Sequence, residues 1–212
     1  MGKKLKRRDF IGWAGALAAG SFMLGACFRD KETGKSTAGD KIEENRAMPR
    51  DLVFTLLDQK VDHYMQLSYN CAQSSYLALE EQFGLKGDQV LKALTPLPGI
   101  AERGETCGAV TGPLMVFGLI YGRGKDRLDD WNIYRDSLVP SGKFCRLFEQ
   151  EFGSTMCRDI QKDKFGRSFD LTNPEDLREF QAADATARCS SVVRKAVRMA
   201  AEIILDNTNE LL

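Results

Sequence analysis

Histidine is nearly absent from the sequence, and its scarcity excludes several kinds of site. The chain of 212 residues contains one histidine, His63. A single imidazole cannot supply the two or more histidine ligands that most catalytic zinc sites use. The pattern Cys-x-x-Cys-His, which attaches c-type haem, is also missing, so we expect no covalent c-type haem. We interpret His63 as an ordinary residue of a helix surface or of the core.

A surplus of positive charge is lacking as well. The chain has 30 Lys and Arg against 30 Asp and Glu. Loss of the basic N-terminal segment described next would leave it mildly acidic. Binding to the phosphates of nucleic acid depends on clustered Lys and Arg, and here no basic patch is interleaved with aromatic residues. We therefore exclude nucleic acid as a partner.

The apolar run near the N-terminus, Trp13 to Ala26, is too short for a membrane-spanning helix, which needs about 20 apolar residues. It follows Arg7-Arg8-Asp9-Phe10-Ile11, which resembles a twin-arginine export signal. The tetrapeptide that ends the run, Leu24-Gly25-Ala26-Cys27, resembles a lipobox. We predict that residues 1–26 are a signal peptide and that Cys27 is acylated. The protein would then be exported and anchored to a membrane, facing the periplasm or the cell surface. An uncut basic anchor stays an alternative and would also place the domain outside the cytoplasm.

Alternating strand patterns are missing, whereas helical periodicity recurs along most of the chain. Residues 27–49 are rich in charge and small polar residues, which predicts a flexible tether. Residues 50–212 are predicted to form an all-α domain, a compact multi-helix bundle. The predicted helices cover Arg50–Leu67, Cys71–Phe83, Asp88–Leu94, Asp129–Phe152 with a break at Pro140, a short segment containing Cys157, a segment beginning at Asn173-Pro174, and Cys189–Leu205. Residues 107–121 are expected to form a buried helix, with a buried strand as the alternative.

The cysteines are the most informative residues. Removing Cys27 from six cysteines leaves five, so intramolecular disulfides cannot use them all. Four of them, Cys71, Cys107, Cys157 and Cys189, coincide with predicted helix N-termini. Free backbone N–H groups and the helix dipole at such positions favour thiolate over thiol. Cys145 falls in mid-helix beside Phe144 and is interpreted as a small buried hydrophobe.

The arrangement around these four cysteines resembles the redox-active proteins named for the pattern C_GCAxxG_C_C. The matching segments are Asn70-Cys71-Ala72-Gln73, Cys107-Gly108-Ala109-Val110-Thr111-Gly112, residues 152–158 ending in Cys157-Arg158, and Cys189 with residues 192–196. The resemblance covers about residues 55 to 205. It implies redox activity and association with an oxidoreductase, with Gly108 and Gly112 as the motif glycines.

Three functions are compatible with this sequence. In the first, Cys71, Cys107, Cys157 and Cys189 form reversible disulfides and exchange electrons with an oxidoreductase or electron-transfer system. In the second, the same cysteines hold an iron–sulfur cluster or another metal, although their spacing matches no standard cluster motif. In the third, the protein is a disulfide-stabilised scaffold subunit. Whether it is an enzyme or an accessory subunit stays open.

Overall fold

A computed structural model describes residues 37–206 and confirms the all-α prediction. The helices are α1 (Ala38–Ala47), α2 (Arg50–Ser68), α3 (Cys71–Phe83), α4 (Asp88–Ala93), α5 (Gly99–Glu102), α6 (Gly108–Tyr121), α7 (Trp131–Phe152), α8 (Cys157–Phe165), α9 (Pro174–Ala182) and α10 (Ala185–Asp206), with a 3₁₀ turn at Lys125–Arg127. Within these residues the only β-type pairing is one isolated antiparallel bridge, Thr106 with Met156. No helix in this range is both long and apolar enough to cross a membrane. The predicted signal peptide and Cys27 lie outside the described residues.

Local capping explains why α3 begins and ends where the sequence predicts. The Asn70 side-chain oxygen accepts hydrogen bonds from the backbone N–H groups of Ala72 (3.1 Å) and Gln73 (3.0 Å). These two donors would otherwise have no partner within the helix. Gly84 ends the helix in the left-handed conformation, at φ 64°. The predicted bounds of Cys71–Phe83 are therefore confirmed.

The predicted tether is wrong in its second half, because Ala38–Ala47 forms helix α1. A capping box begins this helix: Thr37 N–H donates to Asp40 (2.8 Å), and Asp40 N–H donates to the Thr37 hydroxyl (3.3 Å). Ile42 is buried, and the Asn45 side chain donates to the Gln82 carbonyl (2.9 Å). The folded domain thus includes residues before position 50.

The predicted break at Pro140 is also wrong, because α7 continues through it from Trp131 to Phe152. A proline inside a helix removes one hydrogen bond and costs about 3 kcal/mol. Pro140 is buried together with Phe144 and Phe148 on the inner face of the helix. Burial of a large side chain contributes about 1.5–3 kcal/mol, so two phenylalanines offset the loss.

Helices α3 and α6 pack closely at the centre of the domain, and α3 also packs against α2 and α10. Helix α6 confirms that residues 107–121 form a helix and not a strand. Its N-terminal half is almost completely buried, as expected. Two glycines permit the close approach. A Cβ atom on Gly108 would lie 2.6 Å from the Ala72 nitrogen, and one on Gly112 would lie 2.5 Å from the Ala72 carbonyl oxygen.

We predict that Gly112→Ala destabilises the domain by about 1–3 kcal/mol, because the added methyl group must push α3 away from α6. The free energy of unfolding from urea titration measures this change. Gly118→Ala in the same helix is the matched control, since a Cβ atom there has no neighbour within 4 Å. That variant should be neutral or stabilised by up to about 1 kcal/mol through helix propensity. Equal effects of the two substitutions would contradict the packing role of Gly112.

Candidate functional site

The four signature cysteines line one cavity of about 520 Å³. Cys71 is the first residue of α3, Cys107 immediately precedes α6, and Cys157 is the first residue of α8. The prediction that Cys189 opens the last helix is wrong. Helix α10 begins at Ala185, so Cys189 lies in its second turn. Alanine is the strongest helix former, and the run Ala185-Thr186-Ala187 extends the helix upstream of the cysteine.

Gly108 brings Cys71 against the N-terminus of α6. A Cβ atom at position 108 would lie 2.3 Å from the Cys71 sulfur, so no other residue fits there without displacing the thiol. The backbone N–H groups of Gly108, Cys71 and Ala72 all interact with this sulfur. The motif glycine therefore gives the Cys71 sulfur access to backbone donors from two helices.

The isolated bridge places Cys157 beside Cys107. The Cys107 N–H donates to the Thr155 carbonyl (2.8 Å), and the Cys157 N–H donates to the Glu105 carbonyl (2.6 Å). A third bond, from the Arg158 N–H to the Gly104 carbonyl (3.0 Å), extends the same pairing. The start of α8 is thereby fixed to the segment that leads into α6.

Cys107 lies beside two other thiols, and its side chain interacts electrostatically with those of Cys157 and Cys71. It is 6% exposed, whereas Cys71 and Cys157 are half-buried. The hydrogen bond with Cys107 lowers the pKa of Cys71, and the backbone N–H groups lower it further. The pKa of Cys107 is raised well above its usual value by its hydrogen bonds to the Cys157 and Cys71 sulfurs and by burial. The three sulfurs therefore form a row in which an outer thiol ionises before the central one.

The expectation that a helix start favours the thiolate at all four cysteines holds only in part. At Cys71 the pKa is lowered as expected. At Cys107 the pKa is raised, first by the interactions with the Cys157 and Cys71 sulfurs and then by burial. Burial raises the pKa of Cys189, and the charges of Cys71 and Cys157 raise it further. Burial also raises the pKa of Cys145, which does not line the cavity.

A strained turn adjoins Cys157. The segment α5, Gly99–Glu102, is a single turn and not a regular right-handed helix, because its four residues have φ values between 46° and 62°. Ile100, Ala101 and Glu102 are not glycines, and each such residue costs about 1–2 kcal/mol in this conformation. The turn lies close to the thiols, since a Cβ atom on Gly99 would be 3.6 Å from the Cys157 sulfur.

Gln161 contributes to the site, although the sequence did not point to it. Its side-chain nitrogen donates to the Cys157 sulfur over 3.6 Å, and its side-chain oxygen accepts from the Phe169 N–H (2.8 Å). It is 2% exposed. The sequence did contain one signal: Gln161 follows Cys157 by four residues, and residues i and i+4 of a helix share one face. His63, in contrast, is exposed on α2 and does not line the cavity.

Possible metal ligands are not grouped for coordination in this part of the chain. Among residues 37–206, no three or more His, Cys, Asp or Glu side chains are arranged to hold a metal ion. The side chain of Cys107 nevertheless interacts with those of Cys71 and Cys157.

The fold and the site define an α-helical protein with several cysteines converging on one cavity. Residues 69–203 match the family described as "Putative redox-active protein (C_GCAxxG_C_C)". The match covers more than half of the chain and includes all four signature cysteines, so the chain belongs to this family. No curated protein and no solved structure matches it.

We predict that Cys71 of the fully reduced protein reacts with iodoacetamide faster than Cys189 or Cys145 at neutral pH. The thiolate is the nucleophile, and the pKa is lowered at Cys71 and raised at the other two. Because a lowered pKa moves thiolate formation to lower pH, the pH–rate curve of Cys71 should reach its plateau at lower pH than that of a free cysteine, whose pKa is about 8.5. Mass spectrometry of quenched samples gives the rate at each residue.

The variant Cys107→Ala lacks the thiol that contributes most to the lowered pKa of Cys71. It should shift the pH–rate curve of Cys71 to higher pH, whereas Cys145→Ala should leave the curve in place. A Cys71 curve that does not move in Cys107→Ala would refute the proposed interaction between the two thiols.

Proposed function

We propose that this family member is a thiol–disulfide redox protein in which Cys107 exchanges its bonding partner between Cys71 and Cys157. The observation that carries the proposal is that Cys71, Cys107 and Cys157 line one cavity, where the backbone bonds of the isolated bridge hold Cys157 beside the buried Cys107. Disulfides form and move when a thiolate attacks a disulfide sulfur, so adjacent thiols with different pKa values suit this chemistry.

In each step of the exchange, one S–S bond forms as another breaks and a thiolate is released. The Cys71 thiolate attacks a disulfide of an oxidised partner, which forms a mixed disulfide and releases one partner thiolate. The Cys107 sulfur, after losing its proton, attacks Cys71, which forms the Cys71–Cys107 disulfide and releases the second partner thiolate. Attack of Cys157 on Cys107 then moves the disulfide to Cys107–Cys157 and returns Cys71 as a thiolate. Two electrons pass from the dithiol to the partner.

We also propose where the protein is located and with which class of partner it exchanges electrons. The protein would be exported as a lipoprotein, anchored through Cys27, and would exchange electrons with an oxidoreductase complex. Export and lipid anchoring are supported by the sequence, through the twin arginines Arg7-Arg8 and the lipobox-like Leu24-Gly25-Ala26-Cys27. Environments outside the cytoplasm permit disulfides to persist, which suits a protein that cycles between thiol and disulfide. The twin-arginine route carries folded proteins and would export the domain with its cysteines already in place.

A second candidate function is cofactor binding by the four cysteines. It is favoured by one observation, that all four thiols line the same cavity of about 520 Å³. Thiolates are the usual ligands of iron–sulfur clusters. Cys189 distinguishes the two candidates, because a four-thiolate site requires it whereas the three-thiol row does not.

We expect Cys107→Ser to abolish the reversible change in thiol content, because the outer cysteines then lose their shared partner. The measurement is a thiol titration after equilibration across a range of redox potentials. Cys145→Ser is the matched control and should behave as wild type, since Cys145 lies outside the cavity. Equal effects of both substitutions would rule out the proposed division of the cysteines.

Anaerobic purification separates the two candidates directly. Thiol exchange predicts metal-free protein without iron–sulfur absorbance, whose disulfide is reduced at a potential above about −300 mV. Stoichiometric metal, lost in Cys189→Ser, would establish the cofactor site instead. Metal-free protein whose disulfides stay oxidised below about −300 mV would leave only a structural role for the cysteines.

A further inference from the structure

The cavity beside the thiols is larger than the exchange of disulfides requires. Its volume of about 520 Å³ lies within the range of about 300–1,000 Å³ typical of small-molecule sites. The thiols are supplied by α3, α6, α8 and α10, and the remaining wall comes mainly from α8, α9 and α10. A second reactant could therefore bind in contact with the sulfurs.

The part of the cavity wall that α8 and α9 supply is apolar and aromatic. Phe165 and Phe180 line the cavity with their ring centroids 5.1 Å apart, and Leu177 lines it as well. All three side chains are only half-buried, and α9 has no fully buried residue. Apolar side chains that remain partly exposed around a cavity are the usual lining of a ligand site.

The charge of the lining restricts the class of ligand. Among the described residues that line the cavity, none is Lys, Arg or His, and the single charged residue is the exposed Glu102. Phosphate-bearing cofactors need cationic or N–H donors for their charge. The N–H groups of Cys157 and Arg158, at the start of α8, are already bonded to carbonyl oxygens. The lining thus suits a neutral, largely apolar molecule.

We propose that this cavity binds a neutral quinone, which accepts the electrons of the dithiol. The inference rests on the proposed thiol–disulfide function and names its small-molecule oxidant. Cys107 and one neighbouring cysteine form an S–S bond, and their two S–H bonds break. The two electrons and two protons pass to the quinone, which leaves as the hydroquinone. The side chain of Gln181 lines the cavity as well, and its amide is a hydrogen-bond donor suited to a quinone oxygen.

The test uses the full, reduced chain under anaerobic conditions with tetramethyl-1,4-benzoquinone. All ring positions of this quinone are substituted, so thiols cannot add to an open carbon. We expect one hydroquinone for each disulfide formed, and a rate that saturates with quinone concentration. Diamide, a small hydrophilic oxidant, should instead give a rate that rises linearly with its concentration.

Two variants of neighbouring residues test the cavity itself. Leu177→Glu places a charge in the apolar lining, and the ratio of the quinone rate to the diamide rate should fall about tenfold or more, because burial of a charge beside a neutral ligand is costly. Arg178→Glu introduces the same residue on the exposed side of α9 and should leave the ratio unchanged. An unchanged ratio in Leu177→Glu would overturn the assignment of the site.

A competition experiment needs no variant and covers the case in which Leu177→Glu fails to fold. The dimethyl ether of tetramethylhydroquinone has the same shape and no redox activity, and it should slow oxidation by the quinone but not by diamide. Absence of competition, with linear quinone kinetics, would refute the quinone site while leaving thiol exchange intact. If neither oxidant forms a reversible disulfide, the proposed function itself fails.

Discussion

The close approach of α3 and α6 is the constraint on which the rest of this structure depends. Gly108 and Gly112 leave no room for a side chain between the two helices. The same contact that closes the core also positions the Cys71 sulfur against the backbone N–H of Gly108. Packing and chemistry therefore share one determinant at Gly108, where an added methyl group would clash with both the Ala72 backbone and the Cys71 sulfur.

Cys71 and Cys107 differ in pKa because their surroundings differ. Cys71 has backbone donors and Cys107 beside it, whereas Cys107 has two competing sulfurs and almost no solvent. The bridge of Thr106 with Met156 connects the third thiol to this pair through backbone hydrogen bonds. An interaction between distant segments, rather than a short sequence motif, thus brings Cys157 beside Cys107.

Local signals in the sequence were sufficient for much of the fold. The Asn70 cap and Gly84 define α3, and the four cysteines that the sequence singles out line one cavity. Effects that depend on tertiary contacts were not predictable in the same way. Helix α1 owes its place to Ile42 and to the Asn45–Gln82 contact, although its Thr37–Asp40 capping box was visible in the sequence. Helix α7 tolerates Pro140 because its inner face is buried. The cavity wall on α9 follows from how α8, α9 and α10 meet, which no single segment encodes.

The central position of Cys107 determines how much either disulfide would restrict the unfolded chain. A Cys71–Cys107 bond would close a loop of 36 residues, and a Cys107–Cys157 bond would close one of 50, counted by subtraction of the residue numbers. Because closure entropy grows only with the logarithm of loop length, the two bonds would restrict the unfolded chain to nearly the same extent, within about 0.3 kcal/mol. The disulfide could therefore move between the two pairs with almost no change in the thermal resistance of the domain.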